Sequence, residues 1–189
     1  MSRDFINDPR QDGADRGLWI EIGTDAARFA NRPALFLDRD GVINVDCGYP
    51  SKPSDIIIIE DIIPTIRLAN EAGWPVVVVT NQSGIARGYF TWSDFAAVTA
   101  HIDAELDQRG ARIDAVLACG YHQVGHAPLN VANHPMRKPQ SGMFVEAQRN
   151  FKINLKQSIM IGDKITDFQA AKAAGIVTCY EPVMGPSVA

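Results

Sequence analysis

The feature that most restricts the possible folds of this chain is a short apolar run that ends abruptly in two carboxylates. Residues 34–37 read Ala-Leu-Phe-Leu, and Asp38, Asp40 and Gly41 follow closely. Such a run is typical of a parallel strand buried on both faces. Open α/β sheets bind ligands at the carboxyl ends of their strands, so this position favours a functional site over a solvated turn. Side chains two apart on an extended backbone point the same way, so repulsion between the two acids predicts a bound cation or a shared proton.

Composition argues against several functional classes. The chain has 189 residues, of which 46% are hydrophobic and 21% charged, as expected for one globular domain. A net charge of -4 gives no reason to expect nucleic-acid or anionic-membrane partners. Cys47, Cys119 and Cys179 are too few for a disulfide framework and suit a reducing cytoplasm. With no segment approaching a membrane span and no signal-peptide core, a cytoplasmic protein is expected. The sequence does not indicate its oligomeric state.

Further along the chain, apolar runs alternate with amphipathic segments. Strands are predicted at 75–79, 113–118, 158–161 and 176–179, and helices at 61–73, 91–109, 141–151 and 165–174. This alternation predicts an α/β fold with a parallel sheet covered on both faces. Residues 1–33 are predicted to form a partly ordered extension anchored by Trp19, followed by one domain at 34–189.

Four groups of polar residues lie where predicted strands end or a helix begins: Asp38 with Asp40, Thr80 with Asn81, Arg137 with Lys138, and Asp163 with Asp167. The carboxyl ends of parallel strands share one edge of a sheet, so these groups can meet. Each group alone has an ordinary explanation as turn chemistry or a solvated charge. Together, the acids predict a hard-cation site and the other residues predict an adjacent anion site. This combination indicates a bound phosphate.

The motifs around these residues resemble those of the haloacid-dehalogenase-like phosphatases, in the order DRDG, TN, a Lys and GDxxxD. Longer stretches resemble the D-glycero-D-manno-heptose 1,7-bisphosphate 7-phosphatases, with the phosphatase part of histidinol-phosphatases as sister group: FLDRDGVIN, TNQSGIARGYF, RKPxxGM and GDKxxD. The resemblance covers roughly residues 34–176. It implies a three-layer α/β/α Rossmann-like parallel sheet of the haloacid-dehalogenase type. No large insertion separates the motifs, so a large cap domain is not expected.

The resemblance also implies a mechanism on a small sugar phosphate, foremost the heptose 1,7-bisphosphate, which would lose its 7-phosphate. Asp38 is the expected nucleophile and Asp40 the expected general acid and base. Mg²⁺ is expected at Asp38, the main-chain carbonyl of Asp40 and Asp163. Thr80 and Lys138 are expected to hold the transferring oxygens. The remaining implied residues are Asp167 as a support and, lining the substrate pocket, Asp46, Cys47, Gly48, Tyr49, Asn81, Gln82, Ser83, Arg137 and Lys164.

Other functions remain open at this point. A histidinol-phosphatase would use the same catalytic motifs, so substrate assays are needed to separate the two activities. A phosphoacceptor module like a receiver domain also places Asp, Thr or Ser, and Lys at strand ends. Asp40, two residues after the nucleophile, favours turnover over a long-lived acyl phosphate. A phosphomutase would need a cap to retain its intermediate.

The loop at 119–137 departs from the pattern of the resembled family, which often has a structural zinc site there. Cys119 keeps the first ligand position, whereas Tyr121, His134 and Met136 stand at the other three. Another set has ligand types that suit zinc: Cys119, His122, His126 and His134. A metal-free loop, held by side-chain packing and histidine hydrogen bonds, is favoured over either zinc site.

Overall fold

The protein folds around one seven-stranded sheet, in a computed structural model that describes residues 3–182. The spatial order of the strands is β1-β2-β5-β4-β3-β6-β7. The strands are β1 (Arg3–Asn7), β2 (Leu18–Gly23), β3 (Leu35–Leu37), β4 (Val76–Asn81), β5 (Ala115–Cys119), β6 (Ile159–Ile161) and β7 (Thr178–Tyr180). The α-helices of the described residues are α1 (Ile63–Glu71), α2 (Ser83–Ala86), α3 (Trp92–Gln108), α4 (Gly142–Phe151) and α5 (Ile165–Ala173). The strands and helices predicted from residue 34 onward are present, with small shifts at their ends.

The sheet is covered on both faces, as its alternating side chains require. Strands β3 to β7 are parallel, and Leu35 and Leu37 of β3 face one core cluster while Phe36 faces the other. Helices α1 and α3 bury their apolar faces in the first cluster, and α4 and α5 in the second. The predicted three-layer α/β/α architecture is confirmed.

The central position of β3 places the first polar motif in the middle of one sheet edge. Leu37, its last residue, pairs with Val78 of β4 and Ile161 of β6. Because these strands are parallel, the residues that follow them lie together at the carboxyl edge. Every α-helix in residues 3–182 contributes side chains to the two core clusters, so none of them forms a separate cap over this edge.

Residues 3–33 are more ordered than the sequence predicts. β1 pairs antiparallel with β2, and β2 pairs antiparallel with β5, with Leu18 opposite Cys119. Trp19, the predicted anchor, is 2% exposed and packs edge-on against Phe95 of α3, with ring centroids 5.1 Å apart. The prediction of a partly ordered extension was wrong, because pairing with a strand distant in sequence fixes this segment and leaves little local periodicity. A domain boundary at residue 33 stays a prediction.

The segment between β4 and α3 contains the start of a predicted helix and a short helix that was not predicted. A capping box starts α3, the helix predicted at 91–109: Thr91 Oγ1 accepts the Asp94 N–H at 3.2 Å, and Asp94 Oδ2 accepts the Thr91 N–H at 2.7 Å. The preceding stretch, where the sequence predicted no helix, contains α2. Ile85 of α2 is 9% exposed and joins the core, so burial stabilises a helix too short to be predicted from propensity.

Candidate active site

Asp38, directly after β3, lies beside the buried ammonium group of Lys138. Lys138 Nζ lies 3.0 Å from Asp38 Oδ1 and 2.6 Å from Asp167 Oδ1, and it donates to the Val79 carbonyl at 2.8 Å. Asp38, Lys138 and Asp167 are 5%, 2% and 0% exposed. One ammonium group between two buried carboxylates leaves an excess of negative charge, which favours a further cation. The structure thus brings three of the predicted site residues into one charged cluster.

Lys138 is held in place by the side chain of Asn81. The Asn81 amide donates to the Lys138 carbonyl at 2.9 Å, and its oxygen accepts the Lys138 N–H at 3.0 Å. This reciprocal pair joins the carboxyl end of β4 to the segment before α4. Asn81 was predicted to bind substrate, and it lines a cavity beside Asp40 and Lys138. Its amide, however, is engaged by the backbone of Lys138, so the geometry fits a positioning role.

Asp40 lies among donors from three side chains. Arg39 donates to its two oxygens through Nε and Nη2 at 3.0 and 2.9 Å. Asn44 Nδ2 and Gln82 Nε2 each donate to it at 3.0 Å. Gln82 Nε2 also lies 2.9 Å from Thr80 Oγ1. Gln82 therefore connects the predicted acid–base residue to the predicted phosphate-binding threonine.

Arg39 and Asn44 were missed by reasoning from the sequence. A shared proton or cation was expected between Asp38 and Asp40, but the two acids contact different basic side chains. Arg39 pairs with Asp40, and Lys138 pairs with Asp38. β3 ends before Asp38, so the strand alternation that predicted a common direction does not extend to both acids. The sequence did contain a sign of the ion pair with Asp40, because Arg39 stands between the two acids. Its backbone N–H also donates to Asp38 at 2.7 Å.

The carboxyl groups of Asp38 and Asp40 have opposite pKa shifts. Burial raises the pKa of Asp38, which outweighs the attraction of Lys138, and the negative charge of Asp167 adds to the rise. Burial also acts to raise the pKa of Asp40, but the charge and hydrogen bonds of Arg39 and two neutral donors hold it below the ordinary value. Asp40 is therefore ionised at neutral pH in this arrangement. It is ready to act as a base and must gain a proton before it can act as an acid.

Within residues 3–182, one group of carboxylates has the geometry of a metal site. Asp38, Asp163 and Asp167 each offer an oxygen, and these oxygens lie within 4.8 Å of one another. Burial raises the pKa of Asp163, against the opposing charge of Lys164, and the charge of Asp167 raises it further. A Cβ on Gly41 would lie 2.4 Å from Asp163 Oδ2, so glycine leaves room for this carboxylate. Crowded carboxylate oxygens suit a hard cation such as Mg²⁺.

Asp167 has contacts that fit the supporting role predicted for it. Its Oδ1 contacts Lys138, and its Oδ2 accepts the backbone N–H of Lys164 at 3.0 Å at the start of α5. Both oxygens therefore already have partners within the protein. The predicted metal ligands stay Asp38, the main-chain carbonyl of Asp40, and Asp163.

A cavity of about 270 Å³ opens beside Asp40 and Lys138. The predicted substrate-binding residues in its wall are Asp46, Gly48, Tyr49, Asn81, Gln82, Ser83, Arg137 and Lys164. Thr166, which the sequence did not indicate, also lines it. Cys47 was predicted there but is not part of the wall, since its exposed thiol lies 3.8 Å from the Asp55 carbonyl. The wall contains cations suited to phosphate together with neutral donors suited to hydroxyl groups.

Comparisons with known proteins agree with this geometry. Residues 135–180 match the HAD-hydrolase-like family model. A D-glycero-beta-D-manno-heptose-1,7-bisphosphate 7-phosphatase of Mesorhizobium japonicum is 52% identical over 160 residues, which are 85% of this chain and 74% of that protein. The chain belongs to this phosphatase family. A member from Yersinia pestis is 43% identical over 146 residues, which are 77% of this chain and 78% of that protein.

Solved structures confirm the fold of this heptose bisphosphate phosphatase family member. A crystal structure of a HAD-like protein from Mesorhizobium loti has a TM-score of 0.85 and 51% identity, covering 87% of this chain and 79% of that one. The D,D-heptose 1,7-bisphosphate phosphatase of B. bronchiseptica, solved with magnesium and phosphate, has a TM-score of 0.68 and 33% identity. It covers 77% of this chain and 78% of that one. The fold class and the assignment to the phosphoric monoester hydrolases are both supported.

In this member of the family, an aromatic contact joins the two ends of the loop at 119–137. Tyr121 stacks on His134 with ring centroids 4.1 Å apart, and His134 Nδ1 accepts the Met136 N–H at 3.2 Å. Cys119 is buried in β5, and burial raises the pKa of its thiol to about 11. In the described residues, no three of Cys119, His122, His126 and His134 lie close enough together to share a metal ion. A metal-free loop stays a prediction.

Proposed function

We propose that the protein removes the 7-phosphate from D-glycero-D-manno-heptose 1,7-bisphosphate in a Mg²⁺-dependent reaction. The observation that carries the proposal is the buried contact of Lys138 with Asp38, beside a cavity that Arg137 and Lys164 also line. A buried carboxylate with an adjacent ammonium group suits attack on phosphorus, and the further cations suit a second phosphate. Relatives that bear this activity in their names, at 52% and 43% identity, support the substrate.

Asp38 acts as the nucleophile through one defined oxygen. Lys138 Nζ and the Arg39 N–H both contact its Oδ1, at 3.0 and 2.7 Å, which leaves Oδ2 free to attack. A bond forms between Oδ2 and phosphorus as the bond from phosphorus to the sugar oxygen breaks. The products of this step are an aspartyl-phosphate and heptose 1-phosphate, which keeps the oxygen at C7.

Asp40 moves the protons of both steps. It donates a proton to the departing sugar oxygen, then accepts one from the water that attacks the aspartyl-phosphate and releases inorganic phosphate. Arg39 lowers the pKa of Asp40 in the present arrangement. An arriving phosphate places negative charge beside Asp40, which raises its pKa and favours the protonated form that the first step needs.

Lys138 and Thr80 complete the phosphate site. Lys138 offsets the charge that gathers between Asp38 and the phosphoryl oxygens, and Thr80 offers its hydroxyl at the end of β4. Mg²⁺ bound at Asp38, the Asp40 carbonyl and Asp163 supplies further positive charge to the phosphoryl oxygens. These carboxylates fit such an ion because their oxygens already lie close together.

A substrate screen tests the proposal. The purified protein with Mg²⁺ is assayed against heptose 1,7-bisphosphate, histidinol phosphate and other sugar phosphates, with kcat/KM compared. The highest value is expected for the heptose bisphosphate, with heptose 1-phosphate as product. A higher kcat/KM for histidinol phosphate would assign the protein to the sister activity.

Arg137→Ala is expected to weaken the bisphosphate reaction more than the monophosphate reaction. Arg137 lines the cavity, and a guanidinium group suits bidentate binding of the second phosphate. Loss of charged hydrogen bonds should lower kcat/KM for heptose 1,7-bisphosphate by about 10- to 100-fold. Heptose 7-phosphate should be affected less, and Arg149→Ala, which alters an arginine outside the cavity, should change neither. Equal losses on both substrates would remove Arg137 from this role.

Metal removal separates the catalytic ion from a structural one. A chelator should abolish phosphatase activity, and Mg²⁺ alone should restore it, because the carboxylate site is the one that needs an ion. Elemental analysis should find no stoichiometric zinc in the purified protein. One zinc per chain, lost on replacing Cys119 or His134, would instead show that the loop contains a rearranged zinc site.

The location of the protein rests on composition. No helix among the described residues is long and apolar enough to cross a bilayer. Residence in the cytoplasm and the absence of nucleic-acid partners stay predictions.

A further inference from the structure

The turn between β1 and β2 contacts the loop that carries Arg137. Tyr121, at the start of this loop, donates its hydroxyl hydrogen to Asp15 Oδ1 at 2.7 Å. Its ring stacks on His134, near the other end of the loop, with centroids 4.1 Å apart and an angle of 17° between the ring planes. One side chain therefore joins the N-terminal segment to both ends of the loop.

The turn fits the Tyr121 ring closely. Asn7 fixes Asp15 by donating to its carbonyl at 2.9 Å and accepting its N–H at 3.0 Å. A Cβ on Gly17 would lie 2.3 Å from Tyr121 Cε2, so the ring occupies the space that a side chain would fill. The Gly120 N–H donates to the Gly17 carbonyl at 2.8 Å. Backbone and side-chain contacts thus hold the ring at one place on the turn.

Both residues of the aromatic stack also hold Arg137. Its Nη1 donates to the Tyr121 carbonyl at 3.1 Å, and its backbone N–H donates to the His134 carbonyl at 2.8 Å. Arg137 borders the proposed substrate cavity next to Lys138. A shift of the stack would therefore move the guanidinium relative to the cavity, while Lys138 would still be held by Asn81.

We propose that Asp15, Gly17, Tyr121 and His134 form a latch that positions Arg137 for the distal phosphate of the substrate. These are positioning residues, because they act through Arg137 and none of them lines the cavity. The N-terminal segment contains none of the site residues predicted from the sequence, but the latch gives it a part in substrate binding. The inference rests on the proposed role of Arg137 with a bisphosphate.

Kinetics of two latch variants test the inference. Tyr121→Phe removes the hydroxyl contact with Asp15 and keeps the stack, and Gly17→Ala displaces the ring. Each is expected to raise KM for heptose 1,7-bisphosphate by about 3- to 10-fold with little change in kcat, because Asp38, Asp40 and Lys138 keep their contacts. Asp12→Asn is the matched control, since this carboxylate lies in the same connection and is fully exposed. It should leave both constants unchanged.

Two further measurements separate positioning from a general loss of structure. In an Arg137→Ala background, Tyr121→Phe should add no further rise in KM, since the residue on which the latch acts is gone. Hydrogen exchange of residues 119–137 should be faster in Tyr121→Phe and Gly17→Ala than in wild type and Asp12→Asn. Unchanged exchange and KM in both variants, or fully additive KM effects with Arg137→Ala, would overturn the latch. Absence of bisphosphate hydrolysis in wild type would reject the proposed function, while the exchange measurement would still test whether the contact orders the loop.

Discussion

Asp38→Asn is expected to abolish turnover while the fold stays intact. The asparagine amide is nearly isosteric and its oxygen can still accept from Lys138, but it is a very weak nucleophile toward phosphorus. By analogy with the loss of other catalytic nucleophiles, kcat should fall by about 10⁴-fold or more. Steady-state kinetics with heptose 1,7-bisphosphate measure this loss, and the thermal unfolding midpoint and circular dichroism check the fold.

Asp40→Asn is the matched comparison for Asp38→Asn. It keeps the nucleophile and should still allow some phosphoryl transfer to Asp38, slowed by loss of the general acid, and release of phosphate should be slower still because the water loses its base. The two variants should therefore differ in single-turnover experiments even though both turn over poorly. Wild-type kcat in Asp38→Asn would make the covalent mechanism wrong.

Lys138→Met is expected to have the largest effect on stability. The substitution leaves the buried carboxylates of Asp38 and Asp167 without the ammonium group between them. Removing one partner from a buried ion pair costs about 3–5 kcal/mol of unfolding free energy. Activity should be lost too, because the phosphoryl oxygens lose their cation. Urea unfolding of wild type and variant at neutral pH measures the difference.

The stability loss in Lys138→Met should depend on pH in a defined direction. Burial already raises the pKa of Asp38, and without Lys138 the rise is larger. A carboxyl whose pKa is raised on folding stabilises the folded state below its unfolded pKa and loses that contribution as pH rises through the folded pKa. The variant should thus be closest to wild type in acid and furthest from it at neutral pH.

The exposed Lys156 provides the control for this stability prediction. Lys156→Met should change the free energy of unfolding by no more than about 0.5 kcal/mol. In the buried cluster, adding Asp167→Asn to Lys138→Met should recover part of the loss, because one uncompensated charge disappears. Equal stability of Lys138→Met and wild type at neutral pH would show that the cluster does not depend on this lysine.

The parts of the fold that the sequence predicted are those fixed by local patterns. The valines at 76–79 form a strand because a continuous apolar, β-branched run has few other stable arrangements. α3 begins at Thr91 because the capping box satisfies backbone donors locally. β1 and β2 were missed because β2 is ordered by pairing with β5, a strand distant in sequence, and β1 by pairing with β2.

In the candidate site too, some residues could be placed from the sequence and others could not. Asp38 and Asp163 could be placed because they follow strands whose ends a parallel sheet brings to one edge, and Lys138 because it precedes a predicted helix. The partners of Asp40 could not, because the chain leaves the strand before this residue and the side-chain directions depend on the turn. Cys47 was wrongly placed in the cavity wall for the same reason. Its neighbours in the loop line the cavity, but its own side chain is exposed. Loop geometry, which leaves little pattern in a sequence, decides these cases.

The measurement that tests the central claim most directly is detection of the covalent intermediate. Asp40→Asn is mixed with heptose 1,7-bisphosphate and Mg²⁺, quenched in acid within one turnover, digested and analysed by mass spectrometry. The account predicts one phosphoryl group on the peptide containing Asp38, with heptose 1-phosphate released in equal amount. Heptose 1-phosphate formed with no phosphoryl group on Asp38, or with one on another residue, would contradict it.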